Sequence, residues 1–169
     1  FCLSLLVTGI VAWISRAPEP EPALIPELYA WFDPLHPGLG ASYYPDNAAA
    51  DVPKSYAKIL IAELERTRNG LSADLPSLAP QAGRWLLDNS DLDEDGVVGW
   101  GVPIAWDAYG DGSENPANTA DTISTAIAVQ ALLDWMEQDP KSPGPQILAS
   151  VDEALRPFAD PEMRTPAGL

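Results

Sequence analysis

Thr119-Ala-Asp-Thr-Ile-Ser-Thr-Ala-Ile-Ala-Val-Gln-Ala-Leu-Leu-Asp-Trp-Met-Glu-Gln138 decides the fold class. Ile123, Ala126, Ile127, Gln130, Leu133 and Met136 recur at the spacing of one α-helical face. Ala128, Val129, Leu132 and Trp135 carry the apolar surface nearly all round, so the spacing predicts a helix buried on more than one side. Asp121 falls in its first turn, where a carboxylate suits the positive end of the helix dipole.

Further helices are expected on both sides. Downstream, Pro140 to Pro145 breaks the chain, and Ile147 to Phe158 predicts another helix with Val151, Leu155 and Phe158 inward. Upstream, a helix over about Leu78 to Asp88 carries Trp85, Leu86 and Leu87. Before it, Asp51-Val-Pro53 opens a helix with Asp as N-cap and Pro in the first turn. That helix runs to about Arg68 with Tyr56, Ile59, Leu60 and Leu64 on one face, and Asn69-Gly70 closes it. Pro26 to Phe32 reads as a short helix, and Asp33 to Ala50, rich in Pro, Gly and Tyr, as an ordered loop. No strand pattern stands out. The expected class is all-α, with helices paired through alternating short and long connections.

Charge narrows the partners. The 169-residue chain carries a formal charge of −16, which excludes nucleic acid, since phosphate binding needs clustered Lys and Arg. From Trp85 to Pro140 there is no Lys, Arg or His at all. Carboxylates crowded in this way repel one another unless a cation sits among them; a solvated acidic face is the alternative. Cys2 is alone, so there is neither an intrachain disulfide framework nor a zinc cluster. His36, the one histidine, is assigned no role.

The apolar run Phe1 to Ile14, followed by Ser15 and Arg16, suits the core of a secretory signal or the end of a membrane anchor; a buried core helix is the third reading. Ala17-Pro-Glu-Pro-Glu-Pro22 argues against the third, because alternating prolines form an extended spacer. The expected organisation is therefore a signal or anchor over 1–16, a Pro/Glu linker over 17–26 and a helical domain over 27–169. Location outside the cytoplasm follows, with membrane contact only through 1–14. The opening inside an apolar run and the closing turn at Thr165-Pro-Ala-Gly-Leu169 suggest a fragment of a longer protein.

The long connection from Asn89 to Asn118 is the expected seat of any chemistry, because a loop of about thirty residues inside a compact domain is usually functional. Asp91-x-Asp93-x-Asp95-Gly96 puts oxygen donors at alternate positions and a glycine where the chain turns sharply. Calcium, a hard ion with about 6–8 oxygen ligands, suits that arrangement better than magnesium. The Val97 carbonyl falls where an EF-hand loop supplies its backbone ligand, yet the twelfth position is Val102 rather than a bidentate Glu. The expectation is a structural calcium loop that is not an EF-hand, with Asp91, Asp93, Asp95 and Val97 as ligands and Asp107 and Asp111 as the nearest sources of more. An Asp-rich solvated turn is the alternative.

Behind it, Trp100, Trp106 and Tyr109 lie among glycines and carboxylates. Flat aromatic faces beside Asp and Asn suit sugars; packing of the tryptophans under the loop is the competing reading. Asp107 and Asp111 form a weak catalytic pair for glycoside chemistry, with Glu114 as a spare, and are otherwise metal ligands or caps.

Trp85-Leu-Leu-Asp-Asn-Ser-Asp-Leu-Asp-Glu-Asp-Gly-Val-Val-Gly-Trp-Gly101, with Asn115-Pro-Ala-Asn-Thr119 and the apolar helix after it, resembles the α/α-toroid proteins. That assembly includes six-hairpin glycosidases, polysaccharide lyases, glucuronyl C5-epimerases and terpenoid cyclases. The resemblance covers about Val52 to Leu169. It implies an incomplete toroid, two hairpins of a ring of about twelve helices, with the site in the long loops. It places no catalytic residue, so enzymatic activity, whether hydrolase, lyase or epimerase, stays open. The combined expectation is an exported protein acting on or binding a polysaccharide, or else a non-catalytic calcium-stabilised envelope scaffold.

Overall fold

The computed structural model describes residues 24–31, 33–41, 49–71, 73–107 and 110–159. The chain divides into two compact units, 1–31 and 32–169. In the first, a short helix α1 (Leu24–Tyr29) ends with the Ala30 and Trp31 N–H groups donating to the Pro26 and Leu28 carbonyls. The apolar run 1–14, the proline spacer and the last residues, 160–169, lie outside the described residues. Among those described, no helix is long and apolar enough to cross a membrane.

The second unit is mostly helical: α2 (Pro53–Arg68), α3 (Ala79–Asp88), α4 (Thr122–Gln138) and α5 (Gly144–Ala159). It also holds a small antiparallel ladder that the sequence did not suggest. Strands β1 (Leu39–Ala41) and β2 (Ala49–Asp51) pair with Gly40 opposite Ala50. Strands of three residues, Leu-Gly-Ala and Ala-Ala-Asp, carry no alternating apolar pattern, so their signal is too weak to read.

Helix starts differ from expectation for local reasons. The N-cap of α2 is Val52, not Asp51; Asp51 ends β2 and its Oδ1 accepts the Tyr56 hydroxyl at 2.5 Å. Helix α4 begins at Thr122, with Asp121 outside it as N-cap: Asp121 Oδ1 accepts the Ser124 N–H at 2.7 Å. Asn69 and Gly70, with Gly70 at φ +65°, close α2 where a left-handed residue is needed.

The core lies where α2 meets α3 and α4, with α5 packed on α4 and α3. Tyr56, Leu60, Leu86, Leu132 and Ile147 are fully buried in it. Tyr56 stacks on Trp85 with centroids 3.9 Å apart and planes 5° from parallel. Helix α4 touches α2, α3 and α5, as its nearly all-round apolar surface requires, though Ile123 and Ala126 at its start stay exposed. The inward face of α5 is Ile147, Val151 and Ala154; the expected Leu155 and Phe158 are 45% and 48% exposed.

Candidate metal centre

The connection between α3 and α4 is two closed structures in series. The first is the acidic loop. Its neck is closed by the Gly99 N–H donating to the Ser90 carbonyl at 2.6 Å, so the chain leaves where it entered. Inside, Glu94 (φ +56°) and Gly96 (φ +84°) are both left-handed, which coils the backbone tightly. The Gly96 N–H donates to Asp91 Oδ2 at 3.2 Å, and the Val97 N–H to Asp95 Oδ1 at 2.7 Å.

This coil brings one carboxylate oxygen from each of Asp91, Asp93 and Asp95 within 4.8 Å of the others, a group that could hold a metal ion. The oxygens left over matter more than those already bonded. Asp91 Oδ1 is shielded from solvent and has no hydrogen-bond partner. A carboxylate oxygen withdrawn from water without a donor is costly, and a cation is the partner that three converging acids accept. The residues therefore fit a divalent ion. Val97 follows them in the loop, with its side chain exposed.

The loop is fastened to the core at its exit. The Trp100 side chain is 1% exposed, and its indole N–H donates to the Leu86 carbonyl at 3.0 Å. The Trp100 main chain meets α4: its N–H donates to Thr125 Oγ1 at 3.1 Å, and its carbonyl accepts the Asp121 N–H at 3.0 Å. The glycines on either side permit that approach. A Cβ at Gly99 would lie 2.6 Å from the Ala120 Cβ, and one at Gly101 only 2.0 Å from the Thr119 carbonyl oxygen. Packing, not ligand contact, is thus the role of Trp100. A ring enclosed on all sides offers no face to a sugar, and the expectation of a substrate platform fails for this residue.

The second structure is a hairpin-like excursion. The Asn118 N–H donates to the Val102 carbonyl at 2.7 Å, and Trp106 and Asn115 exchange N–H···O bonds of 3.1 and 2.9 Å. Asn118 takes a left-handed φ of +67° where the chain turns back towards α4. At the tip, Asp107 Oδ1 and Oδ2 accept the N–H groups of Gly110 and Gly112 at 2.6 and 2.9 Å. Asp111 Oδ1 accepts both the hydroxyl and the N–H of Ser113. Those bonds hold the Asp111 carboxyl below its ordinary range, the hydroxyl bond more than the backbone one. That direction is wrong for a general acid, which needs a raised value.

Both aspartates are therefore turn-forming groups. Neither belongs to the metal-capable group, so the expected extra ligands are not brought to it. Trp106 is 37% exposed beside this tip. Tyr109 lies outside the described residues.

Sequence reasoning missed the Glu63–Arg66 pair, which is buried within α2 and shapes the α2–α3 connection. Its only signal is an acid–base pair three residues apart, common on exposed helix faces. His36, left without a role, has Nδ1 3.5 Å from Asp51 Oδ1. No family model, no curated protein and no solved structure matches this chain.

Proposed function

We propose that this chain is an exported, calcium-braced helical protein of incomplete α/α-toroid type that recognises a polysaccharide through the 100–118 hairpin. The shielded, partnerless Oδ1 of Asp91 among three converging carboxylates carries the metal part of this reading. Calcium suits a wrapped loop of flexible oxygen donors, with the Val97 carbonyl as a fourth ligand, and millimolar calcium is met outside the cytoplasm. The ion is structural. It offsets repulsion among Asp91, Asp93 and Asp95 and fixes the neck from which the hairpin departs. Trp106 supplies the sugar-stacking face; Tyr109, the other aromatic candidate of the segment, lies outside the described residues.

A second reading has its own support. Asp107 and Asp111 are committed to turn N–H groups, so this pair is occupied in holding the tip of the hairpin. On that reading the protein is a non-catalytic scaffold tethered through 1–14. Calcium titration followed by a chelator, read by melting temperature and tryptophan fluorescence, tests the metal. A glycan panel tests the partner: loss of affinity on Trp106→Ala with the fold intact supports recognition, and no affinity for any glycan leaves the scaffold.

A further inference from the structure

We infer that the 100–118 hairpin takes an uncharged sugar, stacked on Trp106 and read by the side-chain amide of Asn115 directly opposite. The inference deepens the polysaccharide reading above and rests on it.

Trp106 and Asn115 exchange both of their backbone bonds: the Trp106 N–H donates to the Asn115 carbonyl at 3.1 Å, and the Asn115 N–H to the Trp106 carbonyl at 2.9 Å. Residues paired in this way send their side chains off one face, with Cβ atoms about 4.5–5.5 Å apart. An exposed indole and a half-buried carboxamide thus stand side by side on the hairpin.

The amide is uncommitted. Asp107, Asp111 and Ser113 use their side chains to hold the tip, whereas the Asn115 carboxamide bonds no other described residue. It offers two N–H donors and one carbonyl acceptor, so it can donate to one sugar hydroxyl and accept from the next. The indole adds apolar area for the C–H face of a sugar ring. Neither group carries a charge.

The surroundings of the pair set the charge of its ligand. Asp107 follows Trp106 and Glu114 precedes Asn115, with Asp111 at the tip between them, and all three acids are exposed. Neighbouring strand residues are ~3.4 Å apart, well inside the ~8 Å over which physiological salt leaves charges unscreened. No Lys, Arg or His occurs anywhere from Trp85 to Pro140 to offset them. An acidic sugar brought to Trp106 therefore meets like charge, and a neutral one does not. Uronate chains are excluded on this ground.

Isothermal calorimetry on the full chain tests the inference with gluco-, manno- and galacto-oligosaccharides and with oligouronates of matched length. A neutral oligosaccharide is expected to bind equally well at low and high salt, and the oligouronates not to bind. Asn115→Ala should weaken that binding by about 10-fold, the scale of one or two lost hydrogen bonds, without changing the melting temperature. Asn115→Asp keeps the shape and the backbone bonds but removes the donor, and should weaken it at least as much. Oligouronates that bind, and are lost on Trp106→Ala, overturn the inference and leave the polysaccharide reading standing. Neutral binding that needs Trp106 but ignores both changes at Asn115 does the same. An unaltered chain that binds no glycan overturns both.

Discussion

Arg66 grips Glu63 with two prongs inside the protein: Nε reaches Oε1 and Nη2 reaches Oε2, each at 3.1 Å. The pair organises more than itself. Arg66 Nη1 donates to the Leu71 carbonyl and Nη2 to that of Leu75, while Glu63 Oε2 accepts the Leu78 N–H at 2.8 Å. One ion pair thus satisfies the backbone of the α2–α3 connection and sets the start of α3. Removing one partner strands a buried charge, so Glu63→Ala is expected to cost about 3–5 kcal/mol. Replacing both residues by Leu and Met should cost less than either single change, apart from the lost backbone bonds. Urea denaturation midpoints check the order.

The acidic loop should respond to substitution with opposite signs in the presence and absence of calcium. With the metal chelated, Asp93→Asn relieves repulsion and is expected to be neutral or stabilising. With calcium at 100 times its dissociation constant, the unaltered chain gains about 2.7 kcal/mol and the variant loses that gain. Melting curves in calcium and in chelator read both signs at once.

Gly101, at the close approach to Thr119, and Gly40, in β1, make a contrasting pair. A methyl at Gly101 would strike the Thr119 carbonyl, whereas one at Gly40 meets nothing within 4 Å. Gly101→Ala is expected to destabilise by ~1–3 kcal/mol or more, through a collision that no side chain can relieve. Gly40→Ala should be close to neutral. Thermal denaturation of the two variants tests the contrast.

Tyr56 carries an alkaline dependence. Burial, and then its hydrogen bond to the Asp51 carboxylate, push the phenol well above its ordinary value near ~10. A raised folded value means that the stabilisation is complete below about pH 10 and is lost as pH climbs beyond it, because the unfolded chain ionises first. Absorbance at alkaline pH should show one of the five tyrosines titrating late. Tyr56→Phe should abolish that late step and flatten the fall in stability above pH 10.

The helical class and the acidic loop were legible because both rest on local spacing. Apolar residues at helical intervals marked α2, α3 and α4, and alternate aspartates before Gly96 marked the convergence of Asp91, Asp93 and Asp95. What escaped depends on contacts distant in sequence. Trp100 has the composition of a sugar platform, and only the Leu86 carbonyl and Thr125, 14 and 25 residues away, reveal it as a core plug. Leu155 and Phe158 fit the helical period of α5, yet its neighbours cover Ile147, Val151 and Ala154 instead. Asp107 and Asp111 read as ligands or catalysts because sequence cannot show that the N–H groups of Gly110 and Gly112, and the N–H and hydroxyl of Ser113, occupy their oxygens.

The paired bonds between Trp106 and Asn115 close the outer excursion below its tip, so the turn that Asp107 and Asp111 hold stands on a base that is already complete. Changes of length or chemistry in that tip need not disturb Trp100 or the helices beneath. A molecule built in this way can acquire new binding preferences at its outermost turn while its interior stays the same.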